Sequence, residues 1–266
     1  STIRGKEITL GFQHIKSLEH NAVDEVLKAR RDGLFLSLDD FLDRVKISLE
    51  QCVLLARINA FRFTGLTKKD VLWKLHFRLG KSKTTNPDVE LFPIEKKDFI
   101  LPPLEHHWLE DAYDELELIG FPLCNPFDII AEDLKGQNIV LAKDYPDFIG
   151  REITTVGYLT TLKPTRTSKG DSMYFGTFLD VAGHFIDTVH FPPVAKAFPV
   201  SGWGLFLIKG KVCEEFDALS IEVSNVRKLK LLSDPRLDDT PSHPALNRKN
   251  NTTDRWVTRY LDGSGA

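Results

Sequence analysis

Apolar residues recur at helical spacing through the first 80 residues of the chain. After Ser37, and again after Ser48 and Thr67, they repeat every three or four positions, which places them on one face of a helix. A further helix is expected in HNAVDEVLKARRDG, where Asn21 is suited to cap the first turn and Gly33 to end the last. The pattern predicts a small all-α module of four short helices joined by tight turns.

From Gly150 onward the hydrophobic pattern changes to a period of two residues, which is typical of strands. Five segments rich in Val, Ile, Thr and Phe are separated by turn-forming residues: REITTVGYLTTLK, SMYFGTFLD, HFIDTVHF, GLFLIKGKVCEEF and ALSIEVSNVRKL. A short helix is expected near PPVAKAF, between the third and fourth strands. Five strands with a long first strand and a helix after the third predict a five-stranded OB-fold β-barrel. The expected fold class is therefore α+β multidomain.

Composition and charge divide the chain further. Lys and Arg outnumber Asp and Glu by 14 to 10 in residues 1–80, whereas the same ratio is 5 to 13 in residues 81–135. The acidic region opens with the Pro- and Lys-rich KSKTTNPDVELFPIEKKDFILPP and continues into an amphipathic helix that should stop at Gly120 and Pro122. We expect a helical module in 1–80, a linker and connector helix in 81–135, the barrel in 136–232 and a polar, partly disordered tail in 233–266.

The stretch PTRTSKGDSMYFGTF combines cations with aromatic strand residues, and OB-folds bind single-stranded nucleic acid through those two residue types. The candidate contacts are Lys163, Arg166, Lys169, Tyr174 and Phe175. The three cations are expected on the loop between the first two strands, with Gly170 closing it. Since neighbours on a strand face opposite ways, only one of the two aromatic residues can face a ligand. The alternative is that the aromatic residues fill the barrel and the cations are solvated.

Other features weigh against tight binding and against catalysis. The segment CEEFDA, between the last two strands, would repel phosphate, so affinity should be weak and salt-sensitive. His106 and His107 are adjacent, but a solvated helix start explains them better than a metal site. The sequence contains no complete catalytic constellation, and we expect no metal, cofactor or small-molecule substrate. With no long apolar run and three scattered cysteines, a soluble, cytoplasmic protein is expected.

Three segments, in this order, resemble the C-terminal part of the bacterial DNA polymerase III alpha subunit, the C-family replicative polymerase. The head, GFQHIKSLEHNAVDEVLKARRDGLFLSLDDFLDRV with LLARINAFRFTGLTKKDVLWKL, resembles its tandem helix-hairpin-helix module. YDELELIGFPLCNPFD resembles the connector, and RTSKGDSMYFGTFLDVAGHFIDTVHFP resembles the OB strands. The resemblance implies a non-catalytic DNA-binding part of a polymerase, and leaves open whether the parent is the main replicative enzyme or an accessory, error-tolerant one.

The resemblance also implies where duplex DNA would bind. In the first hairpin, after Lys16, the family's glycines are replaced by Ser17 and Glu19, and the carboxylate would oppose a phosphate. The second hairpin, AFRFTGLTKK, keeps its glycine among cations and is the better candidate for the duplex backbone. Its candidate residues are Arg62, Gly65, Lys68 and Lys69.

A sliding clamp and the rest of the polymerase are the further partners that the resemblance implies. DVELF lies where the family carries its internal clamp-binding peptide, with Asp88 in place of a glutamine and Leu91 and Phe92 as the apolar pair. The alternative is that this pair pins the linker to its own domain. Two other functions remain open: a protein-interaction scaffold whose nucleic-acid surfaces have decayed, and a tRNA-binding OB appendage.

Overall fold

The computed structural model describes residues 1–5, 7–80 and 105–237, and the chain forms two compact units. Residues 1–123 and a short segment that begins at Asp234 make up the first unit, and residues 124–233 belong to the second. The helix of the predicted connector therefore belongs to the helical unit, whereas the residues from Cys124 belong to the barrel unit.

The helices of the first unit are α1 (His20–Arg30), α2 (Leu38–Arg44), α3 (Leu49–Arg57), α4 (Lys68–Leu79) and α5 (Trp108–Leu118). The helices predicted after Ser37, Ser48 and Thr67 are confirmed. The side chains of Ser37, Ser48 and Thr67 accept hydrogen bonds from backbone N–H groups three residues later, at 3.1, 3.3 and 3.1 Å. Each cap satisfies one of the free N–H groups in the first turn of its helix.

The predicted start of α1 was wrong. The helix begins at His20, so Asn21 lies inside the first turn, and Glu19 precedes the helix without a side-chain cap. The predicted end of the helix at a glycine is confirmed, because Gly33 lies just beyond the helix with a φ of +115°. A two-stranded ribbon of β1 (Thr2–Arg4) and β2 (Glu7–Thr9), which the periodicity did not predict, precedes the helices.

The core of the helical unit is built from the apolar faces that the sequence predicts. Phe41 and Phe61 are each 3% exposed and meet edge to face with ring centroids 4.9 Å apart. Leu75 of α4 is fully buried beside them in the same cluster. Burial of these side chains fixes the path between α3 and α4, and hence the shape of the second hairpin.

The second unit is a closed barrel of β3 (Glu152–Arg166), β4 (Ser172–Leu179), β5 (Phe185–His190), β6 (Leu205–Glu215) and β7 (Ala218–Lys228). Helix α6 (Pro192–Ala197) lies between β5 and β6. The strands neighbour one another in the order β3-β4-β5-β7-β6, and a parallel pairing of β5 with β7 closes the barrel. This arrangement confirms the OB-fold.

Strand β3 takes part in both halves of the barrel. Tyr158 pairs with β4 on one side and with β6 on the other. Next to it, Gly157 permits the inner packing, since a Cβ there would lie 2.6 Å from the Cβ of the fully buried Phe178. The first half of β3 is thus held within the barrel, and its second half extends with β4 as a long hairpin.

Candidate nucleic-acid interface

The exposed side of β3, β4 and β5, called here the outer face, brings a cation and an aromatic ring together. Lys163 of β3 is the cross-strand partner of Phe175 of β4, and Val189 of β5 is paired with Phe175 on its other side. Lys163 is exposed and Phe175 is 46% exposed. Directly paired residues project to the same face of a sheet, so these two side chains stand next to each other toward solvent.

Tyr174 projects to the opposite side of the sheet from Phe175. Its ring contacts His190 edge-on, with centroids 6.4 Å apart, and His190 is fully buried. Burial lowers the pKa of His190 to about 4, so this side chain is neutral near pH 7. Of the two predicted aromatic contacts, only Phe175 therefore lies on the outer face.

The outer face carries a second aromatic residue, Phe185, which was not among the predicted contacts. Phe185, at the start of β5, is 65% exposed and lies opposite Leu179 of β4. Leu179 is four residues beyond Phe175, so the two rings are separated by about 13 Å along the strands. The signal was present, because the alternation in FIDTVH buries Ile186 and Thr188 and turns Phe185 outward.

The hairpin between β3 and β4 places the other predicted cations. Lys163 and Arg166 belong to β3 itself, which corrects their expected position in a loop. The turn that follows is tight: the N–H of Gly170 donates to the carbonyl of Thr167 at 2.9 Å, and Gly170 has a φ of +89°. Lys169 lies exposed in this turn. Because neighbours on a strand alternate, Arg166, paired with Ser172, projects to the face opposite Lys163.

The turn between β6 and β7 has the opposite character. Phe216 and Asp217 form it, with φ values of +51° and +61°, a conformation in which a hairpin normally favours Asn or Gly. Phe216 is fully exposed, and Glu214 and Glu215 precede it. This end of the barrel is acidic, as the sequence predicts, and phosphate groups are disfavoured there.

In the first hairpin, a glutamine of α3 holds the backbone. Ser17 has a φ of +63°, the conformation that a glycine adopts most readily. The N–H of Glu19 donates to the side-chain oxygen of Gln51 at 2.9 Å, and Gln51 is 5% exposed. Lys16 is exposed, but the Glu19 amide is already bonded within the protein. One backbone amide of this hairpin is therefore used for a hydrogen bond within the protein.

In the second hairpin, the predicted contacts divide into two groups. Arg62 and Gly65 are exposed, and Gly65 has a φ of +71°. The Lys68 side chain is only 7% exposed and lies 2.5 Å from Asp111 of α5. Lys69 is 28% exposed and lies 3.1 Å from Glu110 of α5. The hairpin tip is therefore open, whereas both lysines are paired with α5.

The carboxylates of α5 that meet these cations are called here the α5 acidic face. They are Glu110, Asp111, Asp114 and Glu117. Asp114 is 2% exposed and contacts Lys68, Arg57 and Arg236, each at 2.8 Å. Burial by itself would raise the pKa of Asp114, but hydrogen bonds from the three cations outweigh it and lower that pKa below its ordinary value.

The start of α5 accounts for the adjacent histidines. The Nδ1 atom of His107 accepts a hydrogen bond from the N–H of Leu109 at 3.2 Å, and Glu110 accepts one from the N–H of His107 at 3.4 Å. His107 is therefore a helix cap. Among residues 1–5, 7–80 and 105–237, no group of histidine, cysteine and acidic side chains is arranged to hold a metal ion.

Two further predictions concern other parts of the chain. Asp88, Leu91 and Phe92, the predicted clamp-binding residues, lie outside the described residues. No helix in the described ranges has the length and apolarity needed to cross a membrane.

Comparison with known sequences identifies relatives along most of the chain. Residues 1–71 match the model of the helix-hairpin-helix motif. The error-prone DNA polymerase of Bradyrhizobium sp. (strain ORS 278) is 26% identical over 265 residues, which cover 91% of this chain and 22% of that protein. The error-prone DNA polymerase of Mycolicibacterium paratuberculosis is 26% identical over 173 residues, which cover 62% of this chain and 15% of that protein. The chain thus spans about a fifth of the length of these relatives.

Solved structures with similar folds include the Stn1-Ten1 complex of S. pombe and the second OB-fold domain of replication protein A from Methanococcus maripaludis. The first has 19% identity and a TM-score of 0.29, and covers 38% of this chain and 81% of that one. The second has 15% identity and a TM-score of 0.24, and covers 32% of this chain and 91% of that one. At these TM-scores the two likenesses carry no argument for function.

Sequence and structure agree on the order of the two modules. The motif match covers residues 1–71 of the helical unit, and the closed barrel follows that unit. The similarity to the error-prone DNA polymerase of Bradyrhizobium covers 91% of the chain. This chain is homologous to the error-prone DNA polymerases of the C family, with the order of helix-hairpin-helix module and OB-fold expected of the C-terminal part of a polymerase alpha subunit.

Proposed function

We propose that this chain is the DNA-binding region of an accessory, error-tolerant DNA polymerase, and that the outer face of its barrel holds single-stranded template. The observation that carries the proposal is the direct pairing of Lys163 with the exposed Phe175, with Phe185 further along the same face. Stacking on aromatic rings and neutralisation of phosphates by cations are how OB-folds bind single strands. Homology to error-prone DNA polymerases supports DNA as the ligand.

The charge distribution of the barrel indicates how a strand would lie. Lys163, Arg166 and Lys169 follow the β3–β4 hairpin, whereas Glu214 and Glu215 lie next to the β6–β7 turn. Phosphates would therefore stay near the β3–β4 hairpin, and the bases would stack on Phe175 and then on Phe185. With Lys163 as the strand cation of the outer face and acidic groups on the same barrel, the affinity is modest and depends strongly on salt.

Titration of a fluorescently labelled single-stranded oligonucleotide, followed by anisotropy, tests this proposal. The wild-type chain is expected to bind at low salt. Lys163→Gln is expected to weaken binding and to reduce the slope of log affinity against log salt concentration by about 0.7, the value for one phosphate contact on a single strand. Lys196→Gln removes the same charge from exposed α6 and should leave binding unchanged. Failure of the wild type to bind, or equal behaviour of both variants, would contradict the proposal.

For duplex DNA, the second hairpin is the proposed contact. Its tip is exposed at Arg62 and Gly65, and backbone amides next to a helix start favour phosphate. In the first hairpin, the carboxylate of Glu19 would oppose a phosphate. We therefore assign the duplex contact to the hairpin tip rather than to the two paired lysines.

A sliding clamp is the proposed protein partner, bound through Leu91 and Phe92. The proposal is supported by the position of DVELF between the two modules. In a pull-down with a purified sliding clamp, Leu91→Ala combined with Phe92→Ala should abolish retention, because both apolar anchors are lost. Phe99→Ala combined with Ile100→Ala removes a similar pair from the same segment and should have little effect. If the Leu91→Ala, Phe92→Ala variant is retained as well as the wild type, the proposed clamp binding through these two residues is wrong.

A second candidate function is a protein-interaction scaffold without DNA binding. The pairing of Lys68 and Lys69 with α5 favours it, because these cations are not free for phosphate. The two functions are separated by one result: a scaffold would retain the clamp in the pull-down but bind neither single-stranded nor primer-template DNA at low salt.

A further inference from the structure

Helix α5 lies against the side of the second hairpin that carries the lysines at the start of α4. Lys68 and Lys69 are the first two residues of α4, and a helix start attracts anions through its free N–H groups and its dipole. The anions that meet their side chains here are carboxylates of the α5 acidic face.

These carboxylates form a row of negative charges, as the phosphates of a DNA strand do. Glu110, Asp114 and Glu117 are separated by four and three residues, so they lie along one face of α5. Along the helix axis these spacings correspond to about 6 and 4.5 Å. Glu110 contacts Lys69, and Asp114 contacts Lys68 and Arg57. Glu117 also contacts Arg57. Each cation in the row is thus matched by a carboxylate.

We infer that the α5 acidic face is an autoinhibitory contact, in which carboxylates take the place of DNA phosphates at the second hairpin and hold its duplex affinity low. The inference rests on the proposed duplex contact at that hairpin. Asp114 anchors α5, because it is buried among three cations. Of the other carboxylates, Asp111 is 34% and Glu117 63% exposed, whereas the Glu110 side chain is 10% exposed. They set the negative potential that an approaching duplex meets.

The test neutralises three carboxylates of the α5 acidic face and leaves the fourth, Asp114, in place. Glu110→Gln, Asp111→Asn and Glu117→Gln, combined in the full chain, keep side-chain shape, and glutamine preserves the helix-capping role of Glu110. Affinity for a labelled blunt DNA duplex at low salt is expected to rise about three- to tenfold, and the salt slope to steepen by about one, as one or more cations become free for phosphate. Adding Lys69→Gln to this triple variant should reverse most of the gain.

A matched control changes the net charge equally at another place in the same unit. Asp24→Asn, Glu25→Gln and Asp32→Asn also remove three carboxylates, and should change duplex affinity less than twofold because the carboxylates that contact Lys68 and Lys69 are those of α5. Equal effects of the two triple variants, or no gain in the α5 variant, would overturn the inference. Single-strand affinity, measured in parallel, reports on the outer face of the barrel. If the chain binds no single strand, the proposed single-strand function is refuted, whereas the duplex measurements still test the inference about α5.

Discussion

Asp114→Ala is expected to lower the free energy of unfolding of the helical unit by about 3–5 kcal/mol, the cost of breaking a buried ion-pair network by removing one partner. The carboxylate is 2% exposed and contacts Arg57, Lys68 and Arg236. Lys68 is itself 7% exposed, so it would be left with a weaker set of partners away from water. Urea unfolding followed by helical circular dichroism measures the change.

The control for this prediction is a neighbouring carboxylate on the same helix. Glu117→Gln changes a side chain that is 63% exposed, and is expected to cost less than about 1 kcal/mol because accessible ion pairs contribute little. If both variants unfold alike, Asp114 is not the anchor of α5.

The contribution of Asp114 also has a defined pH dependence. Its pKa is lowered in the folded chain, so the unfolded state binds a proton more readily. The stabilisation is therefore present above the ordinary carboxyl pKa of 3.8 and is lost as pH falls below it. The difference in unfolding free energy between wild type and Asp114→Ala should shrink in that acidic range.

Phe175→Ala combined with Phe185→Ala is expected to weaken single-strand binding by about 2 kcal/mol or more, roughly 30-fold, since each base stacked on an aromatic side chain contributes about 1–3 kcal/mol. Both rings lie on the outer face and are 46% and 65% exposed. Because neither ring fills the barrel core, the double variant should keep the wild-type fold. Anisotropy titration and circular dichroism check the two expectations.

Phe216→Ala is the matched control, since it removes another exposed ring from the same barrel. Phe216 is fully exposed but lies at the turn next to Glu214 and Glu215, where phosphate is disfavoured. We expect less than a twofold change in affinity. A loss comparable to that of the double variant would move the single-strand site to the β6–β7 turn.

Local patterns carried the prediction of the fold. The starts of three helices are predictable at Ser37, Ser48 and Thr67, because a helix cap involves residues only three positions apart. The barrel strands follow from period-two alternation in the same way. The cap of α1 was misplaced because Asn21 is a better capping residue than Glu19, yet Gln51, 32 residues away, bonds the Glu19 amide. Such a distant partner leaves no mark in the local pattern.

The candidate site was less predictable, because it depends on pairing across strands and between helices. Alternation separates Tyr174 from Phe175 but does not tell which one faces the core; the register with Lys163 and Val189 decides it. The ion pairs of Lys68 and Lys69 join residues more than 40 positions apart. A sequence shows two cations and a distant acidic helix, but only the packed unit shows that they neutralise each other.

The most direct measurement of the central claim is photocrosslinking of the chain to a single strand that carries 5-iodouracil, with the attached residues identified by mass spectrometry. We expect attachment to Phe175 and Phe185 on the outer face, and loss of attachment in the double alanine variant. Attachment confined to the helical unit or to Phe216 would contradict it.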